Sequence, residues 1–293
     1  MYKFLSAAAL TAFLFSCNTQ PANPEKTEVK TAPEASKEKP ARGQIKGPAG
    51  LLFYDDAGKG GIPVVFLHSY GGSTLQWKEQ LEYTRRDRRA IAIDLRGHGQ
   101  SDAPANLDYS VNSQVADLAA VVDSLGLDKF VLVGHSMGGA IAIAYAGMHP
   151  DRVAGLVMEG APGKTADADF KQTMDLLESD AYDKTMNGYL KSILGGSRPY
   201  TDSLERAGMN RFSKETNLAI IRSIFQYDPL PSLQKYNGPK LIISSELEEK
   251  QPDALAKQMP NVQNKIIKGT SHWIHMDKPE EFYTVLEEFL KKI

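Results

Sequence analysis

The stretch VLVGHSMGGAIAIAYA, Val131 to Ala146, joins two unlike patterns at a single serine. Before Ser136 runs an apolar, β-branched segment, begun by Phe130, of the length a buried strand takes. After it come alanines and isoleucines that suit a helix buried on most sides. Gly134, Ser136 and Gly138 form G-x-S-x-G at the junction. In so tight a strand-to-helix turn, side chains at the flanking positions would collide with the neighbouring strand and helix, and the serine oxygen is lifted to the carboxyl edge of a sheet. A serine that merely caps a helix is the plainer alternative. The apolar run before it and the Ala-rich run after it favour the turn.

Working outward, further apolar runs occur at Ile62–His68, Ala90–Leu95, Val153–Glu159, Lys240–Ser245 and Asn264–Gly269. Helical patterns lie between most of them. Ser110 can cap a segment in which Val111, Val115, Leu118, Val122 and Leu125 recur at helical spacing, and Pro279 can open a last helix carrying Phe282, Leu286, Phe289 and Leu290 on one face. Strand and helix in alternation predict an α/β fold, a mostly parallel, doubly wound sheet. The alternation stops between Pro162 and about Ser232, where an insertion is expected.

The chain has 293 residues, 42% of them hydrophobic, which is enough for a sizeable core. A formal charge of -2 leaves no excess of Lys and Arg to neutralise a phosphate backbone, so the composition argues against nucleic acid as a partner. Lys3 precedes an apolar run from Phe4 to Phe15, shorter than the ~20 residues of a membrane span and fit for a secretory signal. It ends in Leu14, Phe15, Ser16 and Cys17, which resembles the lipobox of bacterial lipoproteins, although Phe15 is bulkier than usual there. That resemblance implies lipidation of Cys17, a stable membrane anchor through several acyl chains, and an exported protein of the cell envelope. Cys17 is the one cysteine, so no internal disulfide is expected. Residues 17–44 are rich in Pro, Glu, Lys and Thr and read as a disordered tether spanning roughly 30 Å.

Several stretches in order resemble the α/β-hydrolase superfamily, specifically its cap-bearing esterase and lactonase group: FLHSYGGSTLQW (Phe66–Trp77), IDLRGHGQSD (Ile93–Asp102), GHSMGG (Gly134–Gly139), YAGMHPDRVAGLVME (Tyr145–Glu159) and GTSHWIHMDKPEEF (Gly269–Phe282). The resemblance covers about Leu51 to Ile293. It implies the α/β-hydrolase fold with a helical cap inserted after the sixth strand; together with the signal and the tether, the expected layout is 1–16 signal, 17–44 tether, 45–162 core, 163–232 cap and 233–293 core.

It also implies roles. Ser136 is the nucleophile, and His272, in a G-x-x-H-W arrangement after the last strand, is the base that takes its proton and returns it to the leaving group. The oxyanion donors are the backbone N–H groups of Met137 and Tyr70, each such donor typically worth ~2.7–4 kcal/mol in the transition state. Ser69 stands where the family commonly has glycine; its hydroxyl either binds substrate or fixes the turn. Two glutamates compete for the acid. Glu159 lies in M-E-G-A-P, like the acid after the preceding strand in some dehalogenases, and is placed first; Glu248 occupies the place of the usual aspartate, in S-E-L-E-E-K, and is the alternative. Asp94 and Arg96 read as turn scaffolding. His68, His98 and His149 read as structural, and His275 as facing away or supporting its loop. Trp77 and Trp273 read as packing residues, with Trp273 also open to a place in the cavity wall.

A serine nucleophile points to acyl transfer on a small or medium neutral ester or lactone and away from dehalogenases and epoxide hydrolases, which use a carboxylate there. The alternatives are a cofactor-free haloperoxidase or perhydrolase, and an idle binding protein on the same scaffold. No metal cluster or phosphate loop is visible, so no cofactor is implied.

Overall fold

Period-two alternation along the apolar strands sets the layers. In β3 (Val64–Leu67) and β4 (Ala90–Ile93), Val64, Phe66, Ala90 and Ala92 face a core shared with Trp77 and Phe282, while Val65, Leu67, Ile91 and Ile93 face the opposite core. Both faces are covered, which is why these strands read as unbroken apolar runs. The computed structural model describes residues 41–293; the signal segment, Cys17 and most of the expected tether lie outside the described residues.

The sheet has eight strands in the order β1-β2-β4-β3-β5-β6-β7-β8. β1 (Ala41–Lys46), β2 (Leu51–Ala57) and β4 pair antiparallel; from β4 onward, through β5 (Phe130–His135), β6 (Val153–Glu159), β7 (Lys240–Ser244) and β8 (Gln263–Ile266), every pairing is parallel. β1 corrects the expected tether boundary. The strand opens at Ala41, four residues inside the segment read as tether, because its backbone pairs with β2 from Ala41↔Asp56 to Lys46↔Leu51 and Arg42 meets Asp55 at 3.0 Å.

One face carries α2 (Val111–Ser124), capped by the Ser110 hydroxyl on the Ser113 N–H, and α3 (Met137–Met148), the helix that follows the elbow. The other carries α1 (Lys78–Thr84) and, from the chain's end, a helix at Pro279–Leu290 that buries Phe282, Leu286, Phe289 and Leu290. Between β6 and β7 run α4 (Asp167–Glu178), α5 (Tyr182–Ile193), α6 (Pro199–Met209) and α7 (Lys214–Gln226), the cap, followed by α8 (Leu230–Lys235). α8 lies against α3 so closely that a Cβ on Gly147 would stand 2.7 Å from Ser232 Cα. The return to the core therefore begins at about Leu230, a few residues before the expected 233. Past β7 come α9 (Glu246–Lys250), α10 (Leu255–Gln258), α11 (Ile274–Asp277) and α12, the helix at Pro279–Leu290 just described.

Candidate active site

Ser136 has φ +52°, a left-handed backbone that a residue with a Cβ rarely takes. The glycines beside it are required by contact: a Cβ on Gly134 would lie 2.3 Å from the Gly138 carbonyl oxygen, and one on Gly138 would lie 2.4 Å from the Leu67 carbonyl oxygen. Strand β5 and helix α3 thus approach as closely as backbones can. The Ser136 N–H donates to the Glu159 carbonyl at 2.8 Å, fixing the elbow to the end of β6. Met137 follows as the first residue of α3, where a backbone N–H has no partner within the helix.

Ser136, His272, Glu248 and Tyr70 all line one cavity of about 570 Å³ beneath the cap. His272 arrives on the loop after β8, its ring over Gly160, where a Cβ would lie 2.9 Å from the imidazole Cε1. Its own N–H donates to the Ile193 carbonyl at the end of α5, at 3.0 Å, so the cap touches this loop directly. His272 Nδ1 donates to Glu248 Oε1 at 2.7 Å, which leaves Nε2 as the basic nitrogen.

The two glutamates therefore separate, and the placing of Glu159 first is corrected. Along β6, Met158 joins the core on the α3 side and Val157 the opposite one; Glu159 shares the parity of Val157. Its carboxylate meets His275, accepting from the His275 backbone N–H at 3.0 Å and from Nδ1 at 2.9 Å, with both side chains wholly buried. Trp77 stacks on that imidazole, centroids 3.9 Å apart.

Glu248 owes its position to a capping box. As the third residue of α9 it accepts the Ser245 N–H on Oε2 at 2.7 Å and the Ser245 hydroxyl on the same oxygen, which leaves Oε1 for His272. Burial alone would raise this carboxyl, but the hydrogen bonds from His272 and Ser245 outweigh it and hold the group below the ordinary carboxylate range. It is an ionised acceptor at neutral pH.

The turn that carries Tyr70 is built by His68 and Ser69. His68, fully buried, donates from Nδ1 to the Ser69 carbonyl at 2.7 Å and accepts the Leu95 N–H on Nε2 at 2.9 Å. Desolvation pushes its pKa down to about 4, so it is neutral. Ser69 Oγ accepts from Gln76 Nε2 at 2.9 Å and from the Trp273 indole N–H at 3.2 Å. Of the two roles open to Ser69, this hydrogen bonding fits the fixing of the turn. Trp273 is fully buried and packs beside His135 and His272. The Tyr70 hydroxyl donates to Asn217 on α7, whose amide nitrogen donates to the Tyr182 hydroxyl at 2.7 Å.

The neighbouring turn is held by Asp94, which accepts the Thr74 N–H at 2.6 Å and the Gln100 N–H at 2.8 Å, and by Arg96, paired with Asp117 at 2.5 Å. His98 donates to the Arg96 carbonyl at 2.9 Å. Three participants escaped the sequence reading: Gln76, Glu205 and His135. His135, buried and beside Ser136 in sequence, shares a 2.9 Å hydrogen bond between Nε2 and the His272 carbonyl. Glu205 carries a periodic signal, since Thr201, Glu205 and Met209 recur every four residues and are all buried. Among the described residues no group of three or more His, Cys, Asp or Glu could hold a metal ion.

The model of the alpha/beta hydrolase fold family matches residues 62–279. A putative 2-succinyl-6-hydroxy-2,4-cyclohexadiene-1-carboxylate synthase of Bacillus subtilis is 31% identical over 250 residues, 78% of this chain and 90% of its own. Epoxide hydrolase 3 of Xenopus tropicalis is 28% identical over 78% of this chain and 71% of its own. The crystal structure of a bromoperoxidase from Bacillus anthracis superposes with a TM-score of 0.73 at 26% identity, over 86% of this chain and 100% of that one. The chain belongs to the α/β-hydrolase family and is a hydrolase of that fold.

Proposed function

We propose that this protein is a serine hydrolase that cleaves a small or medium neutral ester or lactone through an acyl-enzyme. The fold does not select the reaction, since the three similar proteins bear the names of three different activities. The observation that carries the reading is the conjunction of Ser136 on a strained elbow with His272 in the same cavity, the latter held at Nδ1 by an ionised Glu248. In this scheme His272 takes the Ser136 proton as the oxygen attacks the carbonyl carbon. The Tyr70 and Met137 N–H groups receive the oxyanion, and His272 then protonates the leaving alcohol. Water repeats the sequence on the acyl-serine, releasing the acid. Glu248 stabilises the imidazolium and is not itself protonated.

The cavity wall supports a neutral substrate. Leu177, Met186, Ile193, Ile221 and Phe225 supply an apolar surface, and among the described lining residues there is no lysine or arginine to meet an anion. Haloperoxidase or perhydrolase chemistry is the second reading, favoured by the likeness to the bromoperoxidase.

The expected result is that Ser136→Ala abolishes hydrolysis of a short-chain p-nitrophenyl ester and labelling by a phosphonate probe. Retention of both by the alanine form would overturn the serine mechanism. We further propose that the protein is an exported lipoprotein anchored through Cys17, on the support of the apolar run and Leu14–Cys17 alone. Cys17→Ser is expected to move it from the membrane to the soluble fraction, and an unchanged distribution would exclude lipidation there.

A further inference from the structure

Glu205 is a wholly buried carboxyl in the cap that the mechanism does not use. It points from α6 at the turn of Ser69 and Tyr70, where Gln76 Nε2 donates to its two oxygens at 2.8 and 2.9 Å. The same Nε2 donates to Ser69 Oγ at 2.9 Å, and Gln76 Oε1 accepts the Ser69 N–H at 3.0 Å. Gln76 is therefore spent entirely on two partners, the turn and the cap. The Trp273 indole, next in sequence to His272, donates to the Ser69 hydroxyl at 3.2 Å and joins the same cluster.

A second observation, independent of those hydrogen bonds, puts α6 on this turn. A Cβ on Gly208 would lie 1.9 Å from the Gly71 carbonyl oxygen, and Gly71 at φ +81° has room for no Cβ beside Met209. The helix backbone thus rests on the backbone of the residue after Tyr70. A shift of α6 must carry the turn with it.

We propose that Glu205 is a positioning residue for acyl transfer at Ser136: through Gln76 and Ser69 it locks cap helix α6 to the turn that presents the Tyr70 N–H. The oxyanion donor is then correctly placed only while the cap is seated. The proposal rests on the reading of Ser136 as nucleophile.

The charges around Glu205 are engaged elsewhere. On α6, Asp202 and Arg206 pair with each other; from α1, Glu79 pairs with Arg198; from α11, Asp277 accepts from Thr201, Ser271 and the Arg198 N–H, and Glu159 is taken by His275. The groups that face the carboxyl, Gln76 and Trp273, are neutral donors. Burial pushes its pKa up to about 8, against the smaller opposing effect of those two donors. Ionisation on the alkaline side is easier when the carboxyl is hydrated, so it favours a lifted cap.

The test measures kcat and KM for a p-nitrophenyl ester, across pH ~6 to ~9.5 to bracket that ionisation, on the wild type, Ser136→Ala, Glu205→Ala and Glu205→Gln, with the melting temperature of each. Glu205→Ala is expected to lower kcat by ~10- to 100-fold with KM changed less than ~3-fold, the pattern of an interaction made in the transition state. Glu205→Gln keeps an acceptor oxygen for Gln76, so it is expected to restore most of that kcat and to lose the alkaline fall of the wild type. A folded Glu205→Ala form with wild-type kcat, or a Glu205→Gln form with an unchanged alkaline limb, would overturn the proposal. Should the alanine form not fold, the pH profile of the glutamine form decides. Hydrolysis that survives Ser136→Ala would instead overturn the reading of the site itself.

Discussion

Sequence context placed Glu159 ahead of Glu248; position in three dimensions separates them the other way. Glu159 stands at a strand end whose parity turns it to His275, and both its contacts with that residue are buried. Glu248 faces the cavity and His272. Glu248→Gln is expected to lower kcat by about 10,000-fold, since an amide at this place favours the wrong imidazole tautomer. Glu159→Ala is expected to cost about 3 kcal/mol of stability, because the His275 donors are left buried without an acceptor, while kcat of the folded form stays within a small factor of wild type. Denaturant melts beside ester kinetics on the two variants separate these outcomes; a reversed pattern would return the acid's role to Glu159. That Ser136 and His272 share a cavity was legible because each sits in a local pattern, G-x-S-x-G and G-x-x-H-W. The carboxylate that meets His272 was not, because the contact depends on which side of the sheet a carboxylate reaches, and neither M-E-G-A-P nor S-E-L-E-E-K carries that information in its residue types alone.

At the scale of elements, the short helix α9 matters more than its length suggests. Ser245 and Glu248 cap each other, and this reciprocal bond is what aims the remaining carboxylate oxygen at His272. Ser245→Ala removes the cap, which typically costs ~1 kcal/mol, and takes one hydrogen bond away from the Glu248 carboxylate. Because those bonds hold the carboxyl low against burial, its pKa is expected to rise in the variant. kcat is expected to fall by up to ~100-fold through the loosened imidazole. A kcat equal to that of wild type would show that this capping box does not orient Glu248 against His272. The S-x-x-E spacing of this box was present in the sequence, yet the stretch was read only for Glu248 as an alternative acid and not as a helix cap. The parallel strands were legible as apolar runs because both of their faces are buried. β1 was not: it is an edge strand whose residues are exposed or half-buried, so its composition matches that of the segment before it. The bounds of the cap's separate helices were not legible, since each buries one narrow stripe.

Over the whole molecule, buried titratable groups set opposing slopes of stability with pH. His68 and His98 are buried neutral, with pKa values pushed down by desolvation to about 4 and about 3, and His135 is lowered for the same leading reason. Below the ordinary histidine value of 6.5 the unfolded chain binds protons that the folded chain refuses, so stability is lost as pH falls from 6.5 toward those values. Glu205 acts in the opposite sense. Its carboxyl is raised from 4.5 to about 8, so across that interval the folded state keeps a proton that the unfolded state has released, and stability falls as pH rises. Where the ranges overlap, three histidines outweigh one glutamate; above 6.5 the histidines no longer contribute a slope and the glutamate does. Taken alone, these groups place the maximum of stability near the ordinary histidine value, ~6.5. Glu205→Gln removes the descending limb. The variant should lie above wild type by on the order of a few kcal/mol at about pH 9, and the gap should close toward about pH 5. Urea melts of the two proteins at both pH values measure that gap. A constant difference between them would mean that the Glu205 proton is released within the folded state without cost, and that the cap is seated as firmly on a carboxylate as on a carboxylic acid.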